Sequence, residues 1–463
     1  MPEQQGSGST FYATEPKLLK VPMQALYSTN DLREKILGIL GEAGFDSACY
    51  SKILDYTIDL FHQKGLGIDY YGYHNIIHEL EVTYVTLVAA QWQSQQGIIS
   101  KDDIKYLFAS ALFHDYDPQK RIDKPHEPDA VNFVKTDKNL GELFMESNID
   151  SNIVAALILR TTYPWNGEKK EKAELLIDNF YSMSDITMES TSNIEHYKKL
   201  GWFLSVADRI GGYALGSFPY ALEMAKKNAH SLAWHPNLIA IRSVAYFEDL
   251  LNNESEMCNQ ILESLPRPMR KSFMDNVLGF MKLREIEIQN QASVIYDKVP
   301  LVPTIDPMKT REKDEFVNAL FEIYQELPSP LQFMRSSFDE SVRNPTVLLN
   351  TLRYGDERGP IVGFVKGSAL ENYKLRAGID DPQFGKCDTI FLEPIALKMG
   401  YWGLGGGREM RLMFLMQAQS KGYKYLSSFA LRDVINERMK RQEKIEFVKQ
   451  FDPERWDYYR VKL

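Results

Sequence analysis

The stretch Tyr73-His74-Asn75-Ile76-Ile77-His78 decides how this chain is read, together with two short pieces far downstream, His114-Asp115 and Ser205-Val206-Ala207-Asp208-Arg209. His74 and His78 are four apart, so on a helix they share one face. His114-Asp115 follows the apolar run Leu107 to Phe113. Adjacent ligands do not both point from one regular helical face, so a helix end or turn is predicted at that dipeptide. Asp208 is an acid inside an otherwise buried-looking helical stretch. Imidazole nitrogens and carboxylate oxygens together suit borderline divalent cations, whereas thiolates select softer ones. A carboxylate also bridges two cations, which a neutral His does not. Paired cations lower the pKa of a shared water and neutralise charge on a phosphate. A nearby His, protonated on one nitrogen, donates to the leaving oxygen. The bland alternatives are a coincidental His pair, a surface His-Asp dipeptide and an Asp satisfied by Arg209.

Outward from these pieces, residues 30 to about 292 read as helical. Asn30-Asp31 is placed to cap a helix through Leu32, Ile36, Leu37 and Leu40, ending near Gly41 or Gly44. Ser100-Lys101-Asp102-Asp103 resembles a capping box before Ile104, Leu107, Phe108 and Leu112. Ile153 to Leu159 and Leu200 to Ala207 are further apolar helix cores. Residues 296–307 carry Pro300, Pro303 and Pro307 and are the expected linker. Beyond it, strand-like runs such as 361–365 and 389–392 alternate with helices. The expected fold class is therefore multidomain: a flexible leader over 1–29, an all-α domain over 30–297, and an α+β domain over 301–463.

On these residues the first domain resembles the HD superfamily of metal-dependent phosphohydrolases. His78, His114-Asp115 and Asp208 look like its H…HD…D signature. The Tyr-His-Asn-x-x-His form is similar to class I cyclic nucleotide phosphodiesterases and to small HD hydrolases. The resemblance covers about 69–224 and includes Leu157 to Thr162, which looks like the family's helix ending in a threonine near the site. It implies His78, His114, Asp115 and Asp208 as ligands of a first divalent metal (Zn, Mn, Mg or Fe). Asp115 would bridge to a second metal, and His74 would donate the proton to the leaving group. The phosphodiesterase pattern of His-Asp-x-Asp followed by a further His is absent, since Asp117 precedes Pro118. The purine clamp is not found either. The segment His126-Glu127-Pro128-Asp129-Ala130 looks more like the acidic segment of the small hydrolases, where Glu127 or Asp129 would hold metal-bound waters. Some HD proteins are diiron oxygenases with additional His ligands, for which His126 is the one candidate. His62, His196, His230 and His235 read as surface or packing residues. Arg121, Lys124 and Arg160 are candidate phosphate clamps.

In the second domain, Met399 to Glu409 is a glycine-rich turn between the strand-like run 390–397 and a helix through Met410, Leu412, Met413, Leu415, Met416 and Ala418. Glycines admit close backbone approach, and a helix N-terminus offers free N–H groups to a pyrophosphate. No Gly-Lys-Ser/Thr follows, so it is not a nucleoside-triphosphate P-loop. From Gly405 to Gly422 the run resembles motif A of GNAT acetyltransferases. That resemblance implies an acetyl-CoA site made by Leu397, Gly405, Gly406, Gly407, Arg408 and Asn436. Trp402 stands where the motif has Arg or Gln, and no tyrosine follows Asn436; Glu443 sits near that place. Glu393 is a candidate base, and Tyr458 or Tyr459 a candidate phenol. A strand near 423–429, a helix with Asn436 and a final strand 456–461 complete the expected domain.

The chain has 463 residues, 44% hydrophobic and 25% charged, with a net charge of -9 and no long basic block, which disfavours nucleic acid as a partner. Cys49, Cys258 and Cys387 lie far apart, which excludes a Cys-x-x-Cys zinc site and fits a reducing compartment. The leader lacks a signal-peptide pattern, and no apolar run is long enough to span a membrane. The expected partners are a small phosphorylated substrate, a small or protein amine acceptor and further copies of the chain, in a cytoplasmic protein. The resemblances imply a bifunctional enzyme that hydrolyses a phosphomonoester or phosphodiester in a small nucleotide-like metabolite and transfers an acetyl group from acetyl-CoA to an amine. The alternatives keep the hydrolase and make the second domain a non-catalytic acyl-CoA-sensing or partner-binding module, or make the first domain a diiron oxygenase.

Overall fold

The computed structural model describes residues 27–45, 47–67, 70–116, 127–232, 234–332, 334–451 and 455–463. Most of the leader, Asp117, Pro118, Arg121, Lys124 and His126 lie outside these residues. The described chain divides by its internal contacts into two compact units, with the division between Met281 and Lys282. Among the described residues, no helix is long and apolar enough to cross a membrane.

The first unit contains only helices among its described residues. They are α1 (Thr29–Glu42), α2 (Ser47–Gln63), α3 (Ile76–Gln95), α4 (Asp103–Phe113), α5 (Glu127–Thr136), α6 (Lys138–Glu146), α7 (Ser151–Leu159), α8 (Gly167–Ser182), α9 (Thr191–Ala214), α10 (Phe218–Ser231), α11 (Ile239–Asn253) and α12 (Ser255–Ser264); α13 (Arg267–Ile295) runs through the division. The cap of α1 is not Asn30-Asp31 but Ser28, whose hydroxyl accepts from Asp31 N while Asp31 returns a bond to Ser28 N. Asp31 works as the third residue of a capping box, one turn inside the end that the apolar spacing marks. The Ser100/Asp103 box forms, with Ser100 N donating to Asp103 Oδ2 at 2.7 Å. Helix α3 is the axis of this unit. It packs against α1, α4, α9 and α12, and thirteen of its side chains are buried. Gly211 lets α9 approach it closely, since a Cβ there would lie 3.1 Å from Val82 Cα.

The second unit is a mixed sheet with helices on both faces. Its strands are β1 (Leu301–Thr304), β2 (Leu348–Tyr354), β3 (Ile361–Ala369), β4 (Thr389–Leu392), β5 (Ala396–Leu397), β6 (Tyr425–Leu431), β7 (Ile445–Lys449) and β8 (Trp456–Lys462). They run in the order β1-β2-β3-β4-β6-β8-β7, with β5 paired to β3. The 296–307 segment is thus not a plain linker: it contains β1, and Pro303 is accommodated there because β1 is an edge strand. The expected single strand over 390–397 is broken into β4 and β5 at Glu393-Pro394-Ile395, where Pro394 has no N–H for a ladder. Strand β7 is an element that the sequence reading lacks.

The remaining helices are α14 (Met308–Arg311), α15 (Asp314–Tyr324), α16 (Arg335–Arg343), α17 (Gly406–Ser420) and α18 (Arg432–Lys440). Leu348 and Leu352 of β2 pack in the core that holds Met410 and Phe414 of α17. Leu349 packs in the core with Phe316, Leu320 and Phe338 of α15 and α16. This two-residue alternation seats one helix layer on each face. Among the described residues only β4 and β6 pair in parallel, from Thr389↔Tyr425 to Leu392↔Ser428.

Gly367 of β3 has no room for a side chain: a Cβ would meet the Phe391 carbonyl oxygen and, at 2.7 Å, the Phe414 ring. Backbone on one side cannot give way. Gly367→Ala is expected to cost about 3 kcal/mol, read as a lower denaturant midpoint. A midpoint equal to that of the parent chain would disprove the close packing.

Candidate functional site

The first site grows from a helix cap. Asn75 is the N-cap of α3; its Oδ1 accepts from Ile77 N at 3.0 Å and His78 N at 3.2 Å, and its Nδ2 donates to Gly72 O at 2.7 Å. His74 therefore precedes the helix, and the two histidines do not share one helical face as the i, i+4 spacing predicts. The cap turns both toward the same space, with ring centroids 5.9 Å apart. Tyr73 stacks on His78 at 4.2 Å. Gly212 of α9 makes room for the Tyr73 hydroxyl, which a Cβ there would strike.

Helix α4 ends at Phe113, so His114 is its C-cap and Asp115 lies just beyond it, as the dipeptide predicts. Asp115 Oδ2 lies 3.3 Å from both His78 Nε2 and His114 Nε2, and 3.5 Å from His74 Nε2. Asp208 Oδ1, from α9, lies 3.2 Å from His114 Nε2 and 3.6 Å from His78 Nε2. Arg209 does not satisfy Asp208; it pairs with Asp249 at 2.7 Å. One ligand atom from each of His78, His114, Asp115 and Asp208 falls within 4.8 Å of the others.

These residues fit a divalent cation. Both nitrogens of His78 and Nε2 of His114 are buried without an aligned hydrogen bond. Ligand bonds of about 2.1 Å would set neighbouring ligand atoms about 3.0–3.4 Å apart, close to the observed spacings. Charge shapes the cluster. Burial pushes Asp115 up, but His114 and His74 hold it well below the usual carboxylate range. Burial lowers His114 and His78, but neighbouring carboxylates raise both above an ordinary histidine. His74 is pushed down to about 4, mainly by burial, with Asp115 pulling the other way.

The cluster opens into a cavity of about 370 Å³, walled by Tyr163, Tyr213, Trp234 and Tyr246, with His74, Asp115, Glu127, Thr161 and Asp208 among its lining. Arg160 does not serve it. That side chain stacks on Trp165 at 4.0 Å and faces a second hollow with Tyr181 and Trp202. Among the described residues the cations on the cavity wall are Arg209, expected only as a partner of Asp208, and Lys169 and Arg242, which the sequence reading missed. Arg209 is held between the Tyr163 and Tyr246 rings, at 4.7 and 4.9 Å. The other histidines do other work: His196 pairs with Asp103 at 2.9 Å, His230 packs on Tyr71, and His235 caps a short 3-10 turn.

In the second unit, Gly405 caps α17 in the left-handed region at φ 85°, as Gly allows, and Gly406 opens the helix. Gly406 and Gly407 sit close to the sheet, near Leu352 and Leu397 respectively. Arg408 in the first turn is exposed. Trp402 donates its indole N–H to Leu397 O at 2.9 Å, tying the turn to the end of β5. Asn436 lies exposed on α18. Past Leu392 and Ser428 the parallel pairing of β4 and β6 stops, while Ala396 and Leu397 pair with β3. Ligands favour such carboxyl ends in open sheets.

The candidate transfer groups are otherwise engaged. Glu393 is buried, pairs with Lys366 and accepts from Tyr373 at 3.0 Å. Tyr458 is buried and donates to Asp381 at 2.6 Å, and burial pushes its phenol up. Tyr459 is buried against Arg438. Glu443 pairs with Arg411 at 2.8 Å.

No protein-family model matches the chain, and no curated protein matches it. Among solved structures it resembles the ribosomal-protein-S18-alanine N-acetyltransferase of Escherichia coli at 13% identity, over 35% of this chain and 93% of that one, with a TM-score of 0.26. It also resembles an N-acetyltransferase from Staphylococcus aureus at 16% identity, over 35% and 98%, TM-score 0.25. A GNAT-family acetyltransferase from Streptococcus pneumoniae is similar at 14% identity, over 35% and 98%, TM-score 0.25. Likeness at that level carries no assignment by itself.

Removing one member of the Lys366–Glu393 pair leaves a buried charge unmatched. Glu393→Gln is expected to destabilise the protein by about 3–5 kcal/mol, measured by chemical denaturation. Full stability in that variant would place the pair in contact with water.

Proposed function

We propose that the first unit is an HD-type, metal-dependent phosphohydrolase acting on a phosphomonoester or phosphodiester of a small nucleotide-like metabolite. The observation that carries this is the convergence of His78, His114, Asp115 and Asp208 beside an aromatic-walled cavity. Those four side chains would hold one divalent cation, with Asp115 shared toward a second. Bound cations supply electrophilic neutralisation of phosphate charge and a more acidic water. The chain's own residues then divide the work. His74 faces the same cavity and delivers a proton to the leaving oxygen. Burial keeps its imidazole neutral near pH 7, and the negative charge of an arriving phosphate favours the protonated form. The aromatic walls receive the organic body of the substrate, and Lys169 and Arg242 attract its anionic groups. Asp115→Ala is expected to lose metal and turnover together, assayed by metal analysis and phosphate release from a nucleotide panel with Mn²⁺. His74→Ala should keep its metal and turn over about 10²–10⁴-fold more slowly. Undiminished turnover in Asp115→Ala rules this reading out.

For the second unit we propose acyl-CoA binding by a GNAT-type fold, with the pyrophosphate at the start of α17 and the thioester arm where β4 and β6 part. The resemblance of the Gly405–Gly422 run and the strand–turn–helix layout support it. N-acetyl transfer to an amine is the activity implied by the resemblance. The engagement of Glu393, Tyr458 and Tyr459 favours the second reading, a module that binds acyl-CoA without transferring the acyl group. Calorimetry with acetyl-CoA is expected to give a saturable heat that Gly407→Glu abolishes, and an amine panel is expected to stay unacetylated. Acetylated product would restore the transferase reading; absence of any heat would remove CoA altogether.

A further inference from the structure

Glu79 follows the candidate ligand His78 directly on α3, and its side chain is fully buried. Its carboxylate meets His114 Nδ1 at 3.0 Å. Neither oxygen has an aligned hydrogen bond with any described residue. A buried carboxylate without donors is costly to keep, so its retention needs a physical reason. His114 supplies one. The same Nδ1 lies 2.8 Å from the Ala111 carbonyl oxygen. A carbonyl and a carboxylate can only accept, so Nδ1 must carry the proton. In the neutral ring that a cation would require, the lone pair is then on Nε2, the atom that faces Asp115 and Asp208.

We infer that Glu79 is a positioning residue for the metal centre: behind the ring that Ala111 orients, its carboxylate strengthens His114 Nε2 as a ligand. The inference rests on reading His78, His114, Asp115 and Asp208 as that centre. Geometry explains how one helix does both jobs. Successive residues of α3 point about 100° apart, so His78 enters the cluster while Glu79 reaches the end of α4 behind it. A carboxylate behind a ligating imidazole orients the ring and raises its basicity. Ala111 alone would fix the tautomer; the negative charge is what Glu79 adds.

The test uses the full chain and its Glu79→Gln and Glu79→Asp variants, stripped of metal and titrated with Zn²⁺ against a chromophoric chelator. Glu79→Gln is expected to bind Zn²⁺ about 10–100-fold more weakly, with Glu79→Asp recovering part of the loss. Melting of the metal-free proteins separates positioning from structure. Metal-free Glu79→Gln is expected to melt somewhat below the parent, since His114 loses its carboxylate partner, while the gain on adding Zn²⁺ shrinks further. Zn²⁺ affinity within twofold of the parent overturns the inference. So does a metal-free variant that melts lower by as much as the loaded one. If the parent chain binds no Zn²⁺, Mn²⁺ or Fe²⁺, the metal centre itself is wrong, and the inference goes with it.

Discussion

A helix enclosed on nearly all sides has no solvent to satisfy the polar groups it carries, and α3 is such a helix. It buries His78, Glu79, Glu81, Thr83 and Thr86 beside its apolar residues. Each of these must find a partner inside the unit or pay the cost of desolvation. Glu81 accepts from Tyr220 at 2.7 Å, and burial lifts its carboxyl to about 7. His78 and Glu79 have no aligned hydrogen bond and instead face the opposite groups at the end of α4 and on α9. The packing of α4 and α9 on α3 is therefore also what assembles the His/Asp cluster. The apolar core and the candidate metal centre are two faces of one arrangement.

The second unit obeys a different constraint. Its sheet is continuous through β3, but β4 ends at a proline-containing break, and the chain returns to β3 before the glycine turn. Beyond the break β4 and β6 no longer pair, and the chain goes on through β5 and the glycine turn to α17. The break also seats Glu393 against Lys366 and Tyr373, three groups that stabilise one another in the interior. Burial lowers the Lys366 ammonium, and Glu393 opposes that drop. A carboxylate held this way anchors the break instead of waiting for a proton.

The parts legible in the sequence were those set by periodicity and by residue type. Helical spacing from residue 30 onward, the end of α4 at Phe113 and the glycine cap at Gly405 all follow from local chemistry. The meeting of His78, His114, Asp115 and Asp208 was expected from a resemblance carried by their types and order, and the four do lie together. What stayed hidden depends on long-range packing. Glu79 looks like an ordinary helix glutamate until α4 closes over it. Arg160 looks like a phosphate clamp until Trp165 takes its guanidinium. Short strands are the hardest: β1 hides among prolines, and β7 reads as a charged loop because only its pairing with β8 makes it a strand. Ser28 was passed over because Asn30 and Asp31 are equally good capping residues and only the fold chooses between them.

The Arg209 guanidinium between the Tyr163 and Tyr246 rings has a consequence for selectivity. Electron-rich rings set around a cavity ordinarily attract quaternary ammonium compounds. Here the chain has filled that slot with a cation of its own, tethered and counterbalanced by Asp249. Trp234 is likewise covered by Arg242, at 4.2 Å. A choline-like head group would have to evict a resident guanidinium, whereas a neutral flat ring would not.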